Sequence, residues 1–304
     1  MRATLRDKLG EQMGDYLILE PGSPVARACA QAAVLMGLSP PVGLHTHAMK
    51  NGLEGERRWP SLAALAMAVC LLVDAARHVL WRYPAAGAPA PPGGFYFPDD
   101  AFFIRHGTAV ISNQEGNDSN DTIVEIAFPS GRVRWRYGHP RVAGSRPGYL
   151  YQPDDAYLLR DGRVVVADAK NCRILLIGPH GTTQIGTTRH CVHDPPRSLG
   201  SPNGDTPLAN GNLLISEVRG SWIDEVTPKG RLVWSVHLPI AYPSDPQQLG
   251  PDLYLVADYA RPGGVVEFTR EGRIVWLYRP RGGAAMLDHP SLADGTTPTH
   301  PQTG

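Results

Sequence analysis

One phrase recurs along this chain and limits what it can fold into. Its clearest copy is Glu125-Ile126-Ala127-Phe128-Pro129-Ser130-Gly131-Arg132-Val133-Arg134-Trp135. It returns as Glu225-Val226-Thr227-Pro228-Lys229-Gly230-Arg231-Leu232-Val233-Trp234, and again as Glu267-Phe268-Thr269-Arg270-Glu271-Gly272-Arg273-Ile274-Val275-Trp276. Each copy reads as an alternating strand, a tight turn closed by Gly, and a second strand ending in Trp. Four of the six tryptophans occupy this slot, counting Trp81 at the end of Leu72–Trp81. All-β units recurring every 40–55 residues or so predict a β-propeller.

Composition agrees with that prediction. There are 33 glycines and 29 prolines in 304 residues, a turn-rich text that suits many short strands. Basic and acidic residues balance at 29 each, which gives neither a nucleic-acid backbone nor an anionic membrane the cationic surface it needs. The four cysteines, Cys29, Cys70, Cys172 and Cys191, contain no CxxC pair, which argues against a zinc ribbon or a thioredoxin-type site. Cys172 and Cys191 flank a predicted hairpin that turns at Pro179-His180-Gly181. They are therefore either a disulfide, implying an oxidising compartment, or two buried thiols.

In chain order, residues 1–64 carry no strand alternation and are expected to be a disordered or loosely helical extension. The apolar run within Leu62–Leu80 is shorter than a spanning helix needs, so a membrane anchor is not the expected reading. Leu71–Pro84 instead aligns with the repeat phrase as the outer hairpin of a first, incomplete blade. The propeller is expected over 65–293. Later blades open at Pro98-Asp99-Asp100, Pro153-Asp154-Asp155, Gly204-Asp205 and Pro243-Ser244-Asp245, and a sixth starts at Leu287–Ala293. Residues 294–304 are expected to be a disordered tail. The expected fold is an all-β propeller of six-bladed type, incomplete or open at its ends, with exposed edges that favour self-association.

The Gly-x-x-x-Trp closing each unit resembles the repeat of PQQ-binding-like propellers. The run of Pro-Asp-Asp-Ala, Asp-Gly-Arg-Val, Ala-Asp and Asn-x-Arg-Ile in the unit from Pro153 is similar to NHL-type and arylsulfotransferase-type propellers. Residues 71–293 most resemble secreted actinobacterial PQQ-binding-like repeat proteins, above all over Tyr149–Ile177, Asp194–Glu217 and Tyr242–Arg261. The resemblance implies a secreted or cell-surface propeller but no agreed activity. PQQ itself is not an expected cofactor, because the quinone enzymes of that class resemble eight-bladed rings with adjacent cysteines, and no Cys-Cys pair occurs. The tryptophans read as blade-packing residues.

In such a ring, loops leading into the innermost strands and loops after the second strands open on one face. The strand starts supply Asp99, Asp100, Asp154, Asp155, Asp205, Asp245 and Asp288. The second-strand ends supply Asn113, Asp168, Glu217 and Asp258, and the loops supply His139, His193 and His289. Together they predict an acidic, histidine-bearing funnel. The plainer alternative is that each Asp hydrogen-bonds its own loop's amides. In the paired Asp99-Asp100 and Asp154-Asp155, strand alternation would send one member into the channel and its neighbour away.

Three functions stay open. One is a non-catalytic module docking a small molecule or a protein. A second is an arylsulfotransferase-like enzyme, with His139, His193 or His289 as sulfuryl carrier and Arg141, Arg197 or Arg261 steadying the anion. A third is a lactonase-like hydrolase holding a divalent ion such as Ca²⁺ on carboxylates from several blades. An acidic funnel opposes the second and suits the third. GxSxG, P-loop, GxGxxG and HExxH motifs are absent, and the pairs His45/His47 and His190/His193 read as loop residues. Asn117-Asp118-Ser119 and Asn120-Asp121-Thr122 match the glycosylation pattern, a short match that arises readily by chance.

Overall fold

The computed structural model describes residues 43–47, 69–73, 79–84, 93–95, 98–114 and 121–279. Of the expected disordered or loosely helical extension over 1–64 only Gly43–His47 is described, and it is a strand, so the His45/His47 pair lies on a strand and not in a loop. The rest of that extension, the sixth blade start at Leu287–Ala293 with Asp288 and His289, and the tail at 294–304 lie outside the described residues, as does the glycosylation match at Asn117. All the named strands among the described residues belong to antiparallel meanders. The first sheet joins β1 (Gly43–His47), β2 (Val69–Val73) and β3 (Val79–Tyr83). Four four-stranded sheets follow, and each is a blade of a propeller.

The first complete blade comprises β4 (Pro98–Ile104), β5 (Ala109–Gln114), β6 (Thr122–Ala127) and β7 (Val133–Gly138). The next comprises β8 (Pro153–Leu158), β9 (Val164–Asp168), β10 (Arg173–Gly178) and β11 (Gly181–Gly186). Then come β12 (Pro202–Pro207), β13 (Leu213–Glu217), β14 (Trp222–Val226) and β15 (Leu232–His237). The last comprises β16 (Pro243–Gly250), β17 (Leu253–Asp258), β18 (Gly264–Phe268) and β19 (Ile274–Tyr278). The first strands β4, β8, β12 and β16 pack side by side in sequence order, so they are the innermost strands around the axis.

Burial follows from this stacking. Every residue of β8 and β9 is buried, because a neighbouring blade covers each face of the inner strands. The outer strand β7 alternates between half-buried and exposed positions, as a strand with one wet face should. The apolar core is accordingly a series of layers between blades. Leu72 and Tyr83 of the first sheet pack with Phe103, Val110 and Phe128 of the next blade. Trp234 and Ile223 pack with Tyr254 and Phe268 of the blade that follows.

The recurring phrase sets a recurring register. Trp81, Trp135, Trp234 and Trp276 lie opposite Leu72, Glu125, Glu225 and Glu267, and in each hairpin the pairing slips one step further on. The slip is a β-bulge that tightens the strand twist beside a bulky ring. Its position in β2 and β3 marks the first sheet as the outer part of a blade, with Val69–Val73 a strand as its apolar text allows. Trp81 and Trp234 pack blade on blade as expected. Trp81 meets Phe128 edge-on at 5.0 Å and donates to the Pro129 carbonyl at 2.8 Å, while Trp234 meets Tyr254 at 5.1 Å. Trp276, at the rim of the last complete blade, is 47 % exposed.

Cys172 and Cys191 form a disulfide with a Cα–Cα distance of 5.3 Å. The hairpin between them pairs Gly178 with Gly181 and Arg173 with Gly186, which carries the two cysteines to the same end. Closing a loop of 19 residues restricts the unfolded chain. Reduction, or the variant Cys191→Ser, is expected to lower stability by about 2–4 kcal/mol, read as a lower urea midpoint. An unchanged midpoint would show that the crosslink adds nothing to the fold.

Candidate functional site

The innermost strands carry their carboxylates to the axis. Asp155 is 1 % exposed, Asp205 is fully buried and Asp245 is 2 % exposed, each on a different blade. Asp100 and Asp154 contribute to the same field, which raises the Asp155 carboxyl well above its ordinary value through burial first and then through Asp245, Asp100, Asp154 and Asp205. Burial, reinforced by Asp245, does the same to Asp205. The sequence-derived set Asp100, Asp155, Asp205 and Asp245 is therefore brought together.

Each strand start is irregular at or just before its acidic residues. The pairing slips between Pro98 and Ala101, between Pro153 and Ala156, between Pro202 and Gly204, and between Ser244 and Gln247. The irregularity breaks the expected alternation. Asp99, Asp100 and Asp154 each offer an oxygen within 4.8 Å of the others, so neighbours in sequence converge instead of facing apart. Gly204 permits the close approach of two blades, since a Cβ there would lie 2.7 Å from Pro246 Cδ and 3.1 Å from Asp245 Cα.

Some of this charge is compensated. Tyr157 reaches across from the second complete blade to donate to Asp245 at 2.8 Å, and Thr206 donates to the same oxygen at 3.1 Å. Gln247 donates to the other oxygen at 3.2 Å. Burial and then the surrounding carboxylates raise the Tyr157 phenol, which keeps it a donor. Asn203 donates to Asp154. In contrast, both oxygens of Asp205 and Oδ2 of Asp155 are buried with no hydrogen-bond partner among the described residues. Such orphaned acceptors are costly and call for a proton or a cation.

The second-strand ends do something else. Asp168 accepts from the Tyr151 amide at 2.7 Å, from Asn171 at 2.9 Å and from Arg173 at 2.6 Å. Asp258 accepts from the amides of Ala241 and Tyr242 at 3.0 and 2.9 Å and pairs with Arg279. Glu217 accepts from the Gly200 amide at 2.6 Å, and Asn113 accepts from the Asp100 amide at 3.1 Å. In every blade this position pins backbone at the start of that blade's own inner strand. Asp168 and Asp258 are thus loop anchors, matching the plainer reading of such residues.

The two described histidines of the predicted set, His139 and His193, lie in separate surroundings. His139 is exposed and stacks on Tyr149 at 4.1 Å. His289 lies outside the described residues. His193 belongs to a second cluster that sequence reasoning did not assemble. Its ring lies flat on Trp222 (4.0 Å, 3°), its Nδ1 is 3.2 Å from Glu217 Oε2 and 3.8 Å from Asp224 Oδ2, and its Nε2 is 3.3 Å from Ser235 Oγ. Burial and then the facing Asp224 push the Glu217 carboxyl up to about 10, burial raises Asp224, and burial lowers the His193 imidazole. The missed member is Asp224, which stands where the matching strands have Val124 and Val266. An acid replacing a buried valine was the available signal. Of the proposed anion partners, Arg197 is paired with Asp194 at 2.8 Å on the surface, and Arg141 and Arg261 are exposed.

The raised axial carboxyls set a pH dependence. Stability contributed by Asp155 and Asp205 is fully present below their unfolded-state values near pH 4 and is lost as pH rises through their higher folded values. In chelator, Asp205→Asn should therefore unfold at a higher temperature than the wild type at pH 8, with the gap closing towards pH 4. A gap that widens on acidification would contradict the charge burial described here.

No protein-family model and no curated protein matches the chain. Among solved structures it is similar to a streptogramin B lyase at 15% identity and TM-score 0.49, over 79% of this chain and 77% of that one. It is also similar to a catalytically inactive virginiamycin B lyase from Staphylococcus aureus with quinupristin, at 15% identity and TM-score 0.47, over 80% of this chain and 78% of that one. A protein of unknown function from Bacteroides caccae gives 17% identity and TM-score 0.43 over 69% of each chain. At such values the likeness carries no inference about activity; this chain is a β-propeller repeat protein whose blades are those its own sheets define.

Proposed function

We propose that this protein is a cation-dependent binding propeller, of the secreted PQQ-like repeat kind and derived from a six-bladed ring. Its channel face would hold a hard divalent ion, Ca²⁺, through which an oxygen-rich small molecule or a protein carboxylate docks. The observation that carries this reading is the crowding of axial carboxyls: among the described residues Asp155 and Asp205 are buried with orphaned oxygens, and Asp155 lies in the field of Asp100 and Asp154, which converge with Asp99. Hard oxygen donors in number are what Ca²⁺ seeks, whereas a sulfuryl anion would be repelled. The Cys172–Cys191 bridge suits an oxidising, extracellular setting. Among the described residues no helix is long and apolar enough to cross a membrane.

A lactonase-like hydrolase is the second reading. Asp205 favours it, as an axial carboxyl with no hydrogen-bond partner on either oxygen among the described residues, which would take a proton from water while a bound ion polarises a carbonyl.

Calorimetric titration of chelator-stripped protein with Ca²⁺ tests both readings. One Ca²⁺ per chain is expected, weakened by at least about tenfold in Asp100→Asn and Asp154→Asn, since each removes a charged oxygen ligand. Ca²⁺-dependent ester or lactone hydrolysis that disappears in Asp205→Asn would favour the enzyme. Absence of Ca²⁺ binding in the folded wild type would remove both readings.

A further inference from the structure

The geometry points to a second metal site, built by His193, Glu217 and Asp224 in the third complete blade, which takes a small transition ion of the Zn²⁺ class. It is independent of the axial carboxylates. Each of the three residues offers a ligand atom within 4.8 Å of the other two. The separations from His193 Nδ1, 3.2 Å to Glu217 Oε2 and 3.8 Å to Asp224 Oδ2, bracket the roughly 3.4 Å edge of a tetrahedron with metal–ligand bonds near 2.1 Å.

Burial supplies the separate reason to expect a ligand. Glu217 and Asp224 are both fully buried, and among the described residues Glu217 Oε1 and both oxygens of Asp224 lack a well-formed hydrogen bond, although the two carboxyls lie close enough to share a proton. Two carboxyls facing each other in a dry interior need a shared proton or a cation between them, and a metal ion entering here displaces that proton. His193 is the member at the surface, with its side chain 19 % exposed, so an ion enters past it.

The imidazole is prepared for this role. Trp222 holds the ring by stacking, and Ser235, paired across the sheet with Asp224, places its Oγ 3.3 Å from Nε2, where it can accept a hydrogen bond from the Nε2–H tautomer. A proton on Nε2 leaves the Nδ1 lone pair directed at the two carboxylates, which is the tautomer a metal-bound histidine needs. One nitrogen and two carboxylate oxygens form a mixed set, softer than the all-oxygen axis, and it selects a Zn²⁺-class ion over Ca²⁺. Three protein ligands leave a fourth position for water.

The test titrates chelator-stripped Asp205→Asn protein with Co²⁺ and Zn²⁺, in a background where the axis is altered, so that failure of the Ca²⁺ reading and failure of this one stay separate. One equivalent of Co²⁺ should give visible ligand-field bands that Zn²⁺ abolishes, and Ser235→Ala should weaken Zn²⁺ binding by about 10–100-fold. His193→Ala and Asp224→Asn, each checked for the unaltered far-ultraviolet spectrum of the folded propeller, should lose the bands. A measurement without any substitution guards against misfolding: in ¹⁵N-histidine-labelled wild type, Zn²⁺ should shift Nδ1 of one histidine. Absence of bands in the folded parent, bands that survive in either folded ligand variant, or histidine resonances untouched by Zn²⁺ would overturn the proposal.

Discussion

Inner strands that are covered on both faces govern this molecule. Strands pair only within their own sheets, so neighbouring blades meet through side chains, some of them hydrogen-bonded to the next blade's backbone, as Asn113 is to the Pro153 carbonyl. That arrangement leaves polar side chains on β4, β8, β12 and β16 only the axis to occupy. Asp155, Asp205 and Asp245 are consequently buried near one another although they come from three blades. The acidic axis and the fold are thus one fact seen twice: the same stacking that excludes water from Val165 and Ile215 also strips it from the carboxylates.

The second-strand anchors are the complementary device. Asn113, Asp168, Glu217 and Asp258 hold backbone at the head of each inner strand, which fixes where the axial residues begin. Glu217 shows how an anchor acquires a further role. It keeps its bond to Gly200, yet Asp224 across from it and His193 above it convert its surroundings from a backbone latch into a polar cage.

Much of the architecture was legible because it is local. The Glu-to-Trp phrase predicts two strands and a turn, and even the bulge keeps the same offset in each copy. The hairpin at Pro179-His180-Gly181 likewise brought Cys172 and Cys191 together by counting. Axial convergence was legible once the ring was assumed, since each blade contributes the same strand start. The roles of Asp168 and Asp258 were not, because an Asp closing a strand reads the same whether it faces a channel or a loop amide. The His193 cluster was hidden for another reason. His193 lies in a loop outside the repeat, and its contacts with Trp222 and Ser235 join positions whose spacing obeys no period.

The anchors have one more consequence. Acceptor and held amide lie within a single unit, so a duplicated stretch of gene brings its own loop placement with it and needs nothing from the units beside it. Selection can then alter what an individual unit displays, as at Asp224, while the latch that places its inner strand is inherited intact.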